Sequence, residues 1–154
     1  MPEPRIKSTD IPKLDAGVMA WAKIWPNWAI DGEEHPILII KKREDGHVGV
    51  LPLTRRPELG KFHVTVTRKF YPSAFQPEGP LYSDESVICL ADKHGRTTMV
   101  WARPDGTALL FPQGRVALRK ISKLHKKDWK SLRNAILEEA ALMDQKGIGL
   151  DHNE

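Results

Sequence analysis

The pattern between His35 and Thr54 constrains the fold of this chain more than any other stretch. An apolar run, residues 36–40, is followed by a charged turn that ends in Gly46 and by a second β-rich run, residues 47–54. Two such runs joined by a short Gly-containing turn predict a β-hairpin. His35 and Thr54 stand at its outer ends, 19 positions apart in sequence. Because the ends of an antiparallel pair meet at one edge of a sheet, we expect these two residues to lie close together.

Further short stretches rich in β-branched and aromatic residues predict more strands, separated by Gly- and Pro-containing turns. The segment from Arg103 to Gly106, Arg-Pro-Asp-Gly, predicts a turn. Residues 116–121 fit either a strand or a helix. The predicted strands are residues 18–25, 62–67, 86–90, 97–101 and 107–111.

The C-terminal part of the chain predicts one amphipathic helix, because its apolar residues recur at steps of three and four. Asp128 suits the positive end of the helix dipole, and Gly147 is a natural stop. Several short strands followed by one such helix predict a mainly β fold, a small barrel or strongly bent sheet with a C-terminal α-helix. The apolar residues of the predicted helix are Trp129, Leu132, Ile136, Ala140 and Met143.

The length of 154 residues is sufficient for one domain with a substantial core. We expect an extended lead-in over residues 1–16, the barrel and its helix over residues 17–145, and a polar tail over residues 146–154. The longest apolar run is too short to span a membrane, and the N-terminus lacks the apolar stretch of a signal peptide. A single cysteine, Cys89, excludes an internal disulfide and fits a reducing compartment. The cytoplasm is therefore the expected location.

Charge is distributed unevenly along the chain. The overall net charge is +4, but residues 115–130 carry seven basic residues against one acid. Residues 134–154 carry five acids against one lysine. A basic patch of this kind attracts a polyanion, although a charge run is also what an ordinary solvated surface looks like.

Several chemistries have no motif here. The chain contains no phosphate loop of the Walker type, no Gly-x-Gly-x-x-Gly and no Gly-x-Ser-x-Gly. Its six histidines are scattered, and Cys89 stands in an apolar run, where a thiol is usually an inert small hydrophobe. We therefore expect neither a metal site nor a cofactor.

The order of three motifs resembles that of the MazF/PemK family of toxins. Gly17-Val18 opens a first strand, Gly32-x-x-His35-Pro36 leads an apolar strand, and the next strand closes in Pro52-Leu53-Thr54. The resemblance covers roughly residues 17–143. It implies an SH3-like barrel of about five to seven strands, usually a homodimer. The activity it implies is growth inhibition by metal-independent cleavage of single-stranded RNA, within a toxin–antitoxin system in which a small antitoxin protein restrains the toxin.

Carried over by motif, Thr54 matches the active-site hydroxyl of the family, whereas His35 stands where the family has an arginine. A histidine can act as acid or base at cellular pH. Arg55 and Arg56, directly after Thr54, could then supply the missing positive charge. The alternative is that His35 merely begins a strand and that catalysis is lost.

Single-stranded RNA would need further contacts outside this catalytic group. Trp28 could stack on an unpaired base, whereas we expect Trp21 in the core. The alternative to an enzyme is a non-catalytic module on the same barrel that binds nucleic acid or a protein, including a toxin that acts as a gyrase poison. The RNA-binding candidates are Trp28, Lys61, Arg68, Lys69, Arg115 and Arg119.

Overall fold

A computed structural model describes residues 13–23, 34–54, 60–67, 85–92, 94–112 and 114–151. These residues form eight strands and one helix. In chain order the elements are β1 (Val18–Lys23), β2 (Glu34–Lys42), β3 (Val48–Thr54), β4 (Gly60–Thr67), β5 (Glu85–Asp92), β6 (Val100–Asp105), β7 (Ala108–Phe111), β8 (Gly114–Lys123) and α1 (Lys126–Gln145).

The predicted hairpin is confirmed as β2 and β3. The two strands pair antiparallel, and the backbone N–H of Arg43 donates to the carbonyl of His47 across the turn at 2.8 Å. Gly46 has a φ of +90° in this turn, a conformation that glycine adopts without steric cost. One residue of β2, Ile40, is bulged out of the ladder.

Six strands close into an antiparallel barrel in the order β1-β2-β3-β6-β7-β8, with β8 returning to pair with β1. The other two strands, β4 and β5, form a hairpin that joins the barrel through the last two residues of β3. The predicted fold class, a mainly β barrel with a C-terminal helix, is confirmed.

Alternation along the strands separates two apolar cores. The first core draws residues from all six barrel strands and therefore fills the barrel interior. The second core, the outer core, lies outside the barrel wall, where side chains of β1, β2 and β3 meet side chains of β4, β5 and α1. The barrel strands supply the interior with Val18, Ala20, Ala22, Ile37, Ile39, Val48, Val50, Ala102, Leu109, Val116 and Leu118.

The helix packs as its sequence pattern predicts. Leu132, Ile136 and Met143 are buried in the outer core, and Trp129 and Ala140 pack against it. A Schellman motif terminates the helix, with Gly147 (φ +80°) two residues after the last helical residue. The sole helix in the described part of the chain is not apolar enough over 18 residues to cross a membrane.

One predicted turn is wrong, and the structure settles one segment whose sequence fits either a strand or a helix. The segment from Arg103 to Asp105 continues β6, and the tight turn follows at Gly106 (φ +62°). The turn prediction was wrong there because a proline is tolerated in this part of β6. The pairing of β6 with β3 ends at Ala102, so Pro104 has no partner in β3 to which a backbone N–H would have to donate. The segment that fitted either state, residues 116–121, belongs to strand β8.

Candidate functional site

His35 and Thr54 occupy equivalent positions at the open end of the β2–β3 hairpin. The last pair of the ladder is Ile37 opposite Pro52, and each candidate lies two residues beyond it. From this point the strands take different neighbours, because His35 pairs with β1 and Thr54 pairs with Val87 of β5. The backbone thus brings both residues to one end of the hairpin, where its two strands join different parts of the sheet.

A third candidate, Arg119, comes close to this end through strand pairing. In the three neighbouring strands β2, β1 and β8, Pro36 lies opposite Trp21, and Trp21 lies opposite Arg119. Two strand spacings separate Pro36 from Arg119, about 10 Å. His35 stands in the adjacent row, opposite Ala22. Pairing of β1 with β8 therefore brings Arg119 within two strands of β2, in the row of Trp21 on the outer wall, whereas Ala22, opposite His35, belongs to the barrel interior.

Trp21 lies between these strands and has the expected burial. Its side chain is buried in the outer core, with 7% of its surface exposed. The ammonium of Lys120 lies 5.8 Å from the centroid of the indole ring, within the range of a cation–π contact. Arg119 and Lys120 are both exposed, so two adjacent cations lie on the outer wall beside this ring.

Arg115, the other described arginine among the RNA-binding candidates, has a different environment. Its Nε donates to Asp105 Oδ2 at 3.0 Å, and both side chains are exposed. The carboxylate offsets the guanidinium charge, so this pair offers little net attraction to a polyanion. Arg115 also lies four residues along β8 from Arg119, in the part of the strand that pairs with β7.

A second group of cations surrounds Trp101 at the turn end of the hairpin, and sequence reasoning missed it. The guanidinium of Arg43 lies 4.4 Å from the centroid of the ring, and the ammonium of Lys41 lies 5.8 Å from it. Arg43 is paired with Asp45, and Lys41 is paired with Asp151. Because two carboxylates balance the two cations, we interpret this group as one that stabilises the turn.

Asp45 organises that turn through its carboxylate. The backbone N–H of His47 donates to Asp45 Oδ1 at 3.0 Å, and Arg43 binds the same carboxylate through Nε and a terminal nitrogen. These contacts, the His47 backbone N–H above all, lower the pKa of Asp45 below its usual value. The Asp45 carboxylate therefore stays ionised to a lower pH than a free aspartate does.

For one more candidate, Lys61, the structure describes the backbone, and five others lie outside the described residues. Lys61 is part of β4, at an irregularity in its pairing with β5. The candidates outside the described residues are Trp28, Arg55, Arg56, Arg68 and Lys69.

The thiol of Cys89, the only cysteine in the sequence, has low reactivity. Cys89 is 6% exposed, and burial raises the pKa of its thiol to about 11. Within the described ranges, no group of three or more His, Cys, Asp or Glu residues could hold a metal ion. Comparison with models of known protein families and with curated proteins finds no match.

Proposed function

We propose that this protein is a toxin-like endoribonuclease that cleaves single-stranded RNA without a metal ion and works within a toxin–antitoxin system. The observation that carries the proposal is the hairpin end, where the backbone places His35 and Thr54 at equivalent positions. A histidine, a hydroxyl and nearby cations are the groups that metal-free cleavage of RNA requires.

In the proposed reaction the 2′-hydroxyl of one nucleotide attacks the adjacent phosphorus. His35 takes the proton of that hydroxyl, and the imidazolium formed in this way gives the proton to the departing 5′ oxygen. The bond from phosphorus to the 5′ oxygen breaks, which leaves a cyclic phosphate and a free 5′-hydroxyl. Thr54 donates a hydrogen bond to the phosphate, and Arg55 or Arg56 supports the charge that builds on its oxygens.

The test is incubation of purified protein with mixed-sequence RNA in EDTA, followed by mapping of the new ends. We expect cleavage, a loss of about 10²–10⁴-fold in rate for His35→Ala, and a loss of about 100-fold for Thr54→Val. His94→Ala and Thr107→Val, at exposed positions in turns elsewhere in the chain, are the matched controls and should keep the rate. Absence of cleavage at high protein concentration would refute the enzyme, and an unchanged rate in His35→Ala would refute the site.

A non-catalytic binding module on the same barrel is the second candidate. It is favoured by the exposed cations of β8 and α1, which need no reactive group to hold a polyanion. Tight RNA binding without cleavage would select it, and specific binding of a gyrase subunit would select the protein-targeting variant. Under either candidate we propose a homodimer and a small antitoxin as partner. Native mass measurement should then give twice the chain mass of 17.5 kDa.

A further inference from the structure

Strand β8 contains an irregularity in the middle of its pairing with β1. Met19 pairs with Ser122, but Trp21 pairs with Arg119, so two residues of β8 oppose one residue of β1. Lys120 lies in this β-bulge with a φ of +52°, and it is the one non-glycine residue with positive φ in the described part of the chain. A bulge adds local twist and can bend a strand, which suits closure of a barrel.

The bulge also changes which side chains reach solvent. Regular alternation along β8 exposes Arg115, Ala117 and Arg119 and buries Val116 and Leu118. The extra residue breaks this alternation, so that Arg119 and Lys120 are exposed in succession. A regular strand would have turned one of these two cations toward the other face.

A lysine is an unfavourable choice for the backbone at this position. The left-handed region strains any residue with a β-carbon, whereas glycine adopts it freely. A bulge needed only for curvature would therefore be served better by glycine. What the lysine adds is its ammonium group, which lies over Trp21 on the outer wall.

The cations that continue from this bulge are not neutralised by carboxylates. Within the described residues, no acidic side chain forms an ion pair with the exposed lysines that follow, in contrast to Arg115, Lys41 and Arg43. These side chains follow one another in sequence from β8 into α1, and several cations in succession match a chain of phosphates better than a single anion. These lysines are Lys120, Lys123, Lys126, Lys127 and Lys130.

We propose that the Arg119–Lys120 bulge is a phosphate-binding element on the outer wall of the barrel that holds the sugar–phosphate backbone of single-stranded RNA. The proposal takes its substrate class from the proposed function and does not require cleavage. Arg119 lies opposite Trp21 on the outer wall, one row from the pair of His35 and Ala22, and Lys123 lies further from that row, opposite Val18. Backbone strain at Lys120 is then kept because the second cation strengthens binding.

Two substitutions at one position separate the charge of Lys120 from its strain. Lys120→Gln removes the charge and keeps a β-carbon, whereas Lys120→Gly removes both. Lys42→Gln, at an exposed position on β2, is the charge-matched control. The probe is a fluorescent single-stranded oligonucleotide with 2′-O-methyl groups, which has no attacking hydroxyl and so reports binding alone. Affinity is measured across a salt series, and stability by thermal unfolding.

We expect both Lys120 variants to lose affinity about 3- to 10-fold and to lower the slope of log affinity against log salt by about 0.7. Only Lys120→Gly should also raise the melting temperature, by about 2–4 °C. Lys42→Gln should keep the wild-type affinity, and Lys120→Arg should retain most of it.

Full affinity in Lys120→Gln would overturn the proposal and leave the bulge a purely structural device. No affinity of the wild-type protein for the oligonucleotide, or tighter binding to anionic lipid vesicles, would overturn it as well. Binding that depends on Lys120, without cleavage of ordinary RNA, would support this element and refute the endoribonuclease. Cleavage that ignores Lys120 would do the reverse.

Discussion

Trp129 of the helix lies directly over Gly17, the residue that opens the first barrel strand. The nearest carbon of the indole ring is 3.1 Å from the position that a β-carbon on Gly17 would occupy. The Gly17 N–H donates to the carbonyl of Ile39 at 2.8 Å, and its carbonyl accepts from the Leu124 N–H at 2.9 Å. One glycine thus joins β1 to β2, to the end of β8 and to the helix, and it has no room for a side chain.

Substitution of Gly17 by alanine should therefore destabilise the protein through two separate effects. Its φ of +92° strains any residue with a β-carbon, and the new methyl group would overlap the Trp129 ring. We expect a loss of about 2–4 kcal/mol in the free energy of unfolding, measured by urea denaturation. Gly46→Ala is the matched control, because its φ is +90° and nothing lies within 4 Å of the new methyl.

The control should lose only about 1 kcal/mol, which is the cost of positive φ alone. Equal losses in the two variants would show that the ring yields to the methyl group. The helix would then be less tightly fixed on the barrel than the 3.1 Å spacing indicates.

The fold could be predicted where its signals are local in sequence. The hairpin of β2 and β3 follows from two apolar runs and a turn, and the helix follows from its period and from Gly147. Closure of the barrel has no such signal, because it pairs β1 with β8, about a hundred residues later. The bulge at Lys120 has one local signal, because the apolar positions step by two from Val116 to Leu118 and by three from Leu118 to Ile121.

The same distinction holds for the candidate site. His35 and Thr54 lie on one hairpin, so their common end follows from the hairpin alone. Arg119 and Arg115 have equal standing in the sequence, as two arginines of one charge run. Only pairing with β1 and the contact with Asp105 separate them.

These two arginines should therefore differ in their effect on RNA binding. Arg119→Gln removes a cation beside Trp21 and should weaken binding of a single-stranded RNA about 3- to 10-fold at moderate salt. Arg115→Gln removes a charge that Asp105 already offsets, and it should change affinity less than about 2-fold. Fluorescence anisotropy with the same oligonucleotide measures both. A larger effect for Arg115→Gln would place the RNA on the β7 side of β8 instead.

The thiol of Cys89 should react only when the protein opens. Thiolate is the reactive form, and burial raises the pKa of this group to about 11, so the folded protein holds almost no thiolate at pH 7–8. We expect alkylation by iodoacetamide to proceed no faster than unfolding, as followed by mass spectrometry. Rapid labelling of the folded protein would contradict the burial of β5.

The same shift predicts how stability depends on alkaline pH. The unfolded thiol ionises near pH 9 and the folded thiol near pH 11, so between these values the unfolded state binds fewer protons. Stability is therefore fully retained below pH 9 and falls as pH rises toward 11, by about 2–3 kcal/mol. Cys89→Ala should lack this part of the decline, and parallel curves for the two proteins would contradict the prediction.

The segment after the helix should contribute to stability although it contains little regular structure. Ile148 and Leu150 pack against the outer core, and Thr97 Oγ1 donates to the carbonyl of Leu150 at 2.7 Å. Ile148 also follows Gly147 in the Schellman motif, where its N–H donates to Met143 at 3.0 Å. This segment therefore fixes the end of the helix to the loop between β5 and β6.

Ile148→Ala should lower the free energy of unfolding by about 1–2 kcal/mol, because a partly buried side chain loses its contacts with the core. Leu142→Ala is the control, since Leu142 is 48% exposed on the preceding helix and should change stability by less than about 0.5 kcal/mol. Hydrogen exchange should also quicken at residues 94–97 in Ile148→Ala, because the loop loses its packing partner. Equal stability of the two variants would show that the segment adds nothing to the outer core.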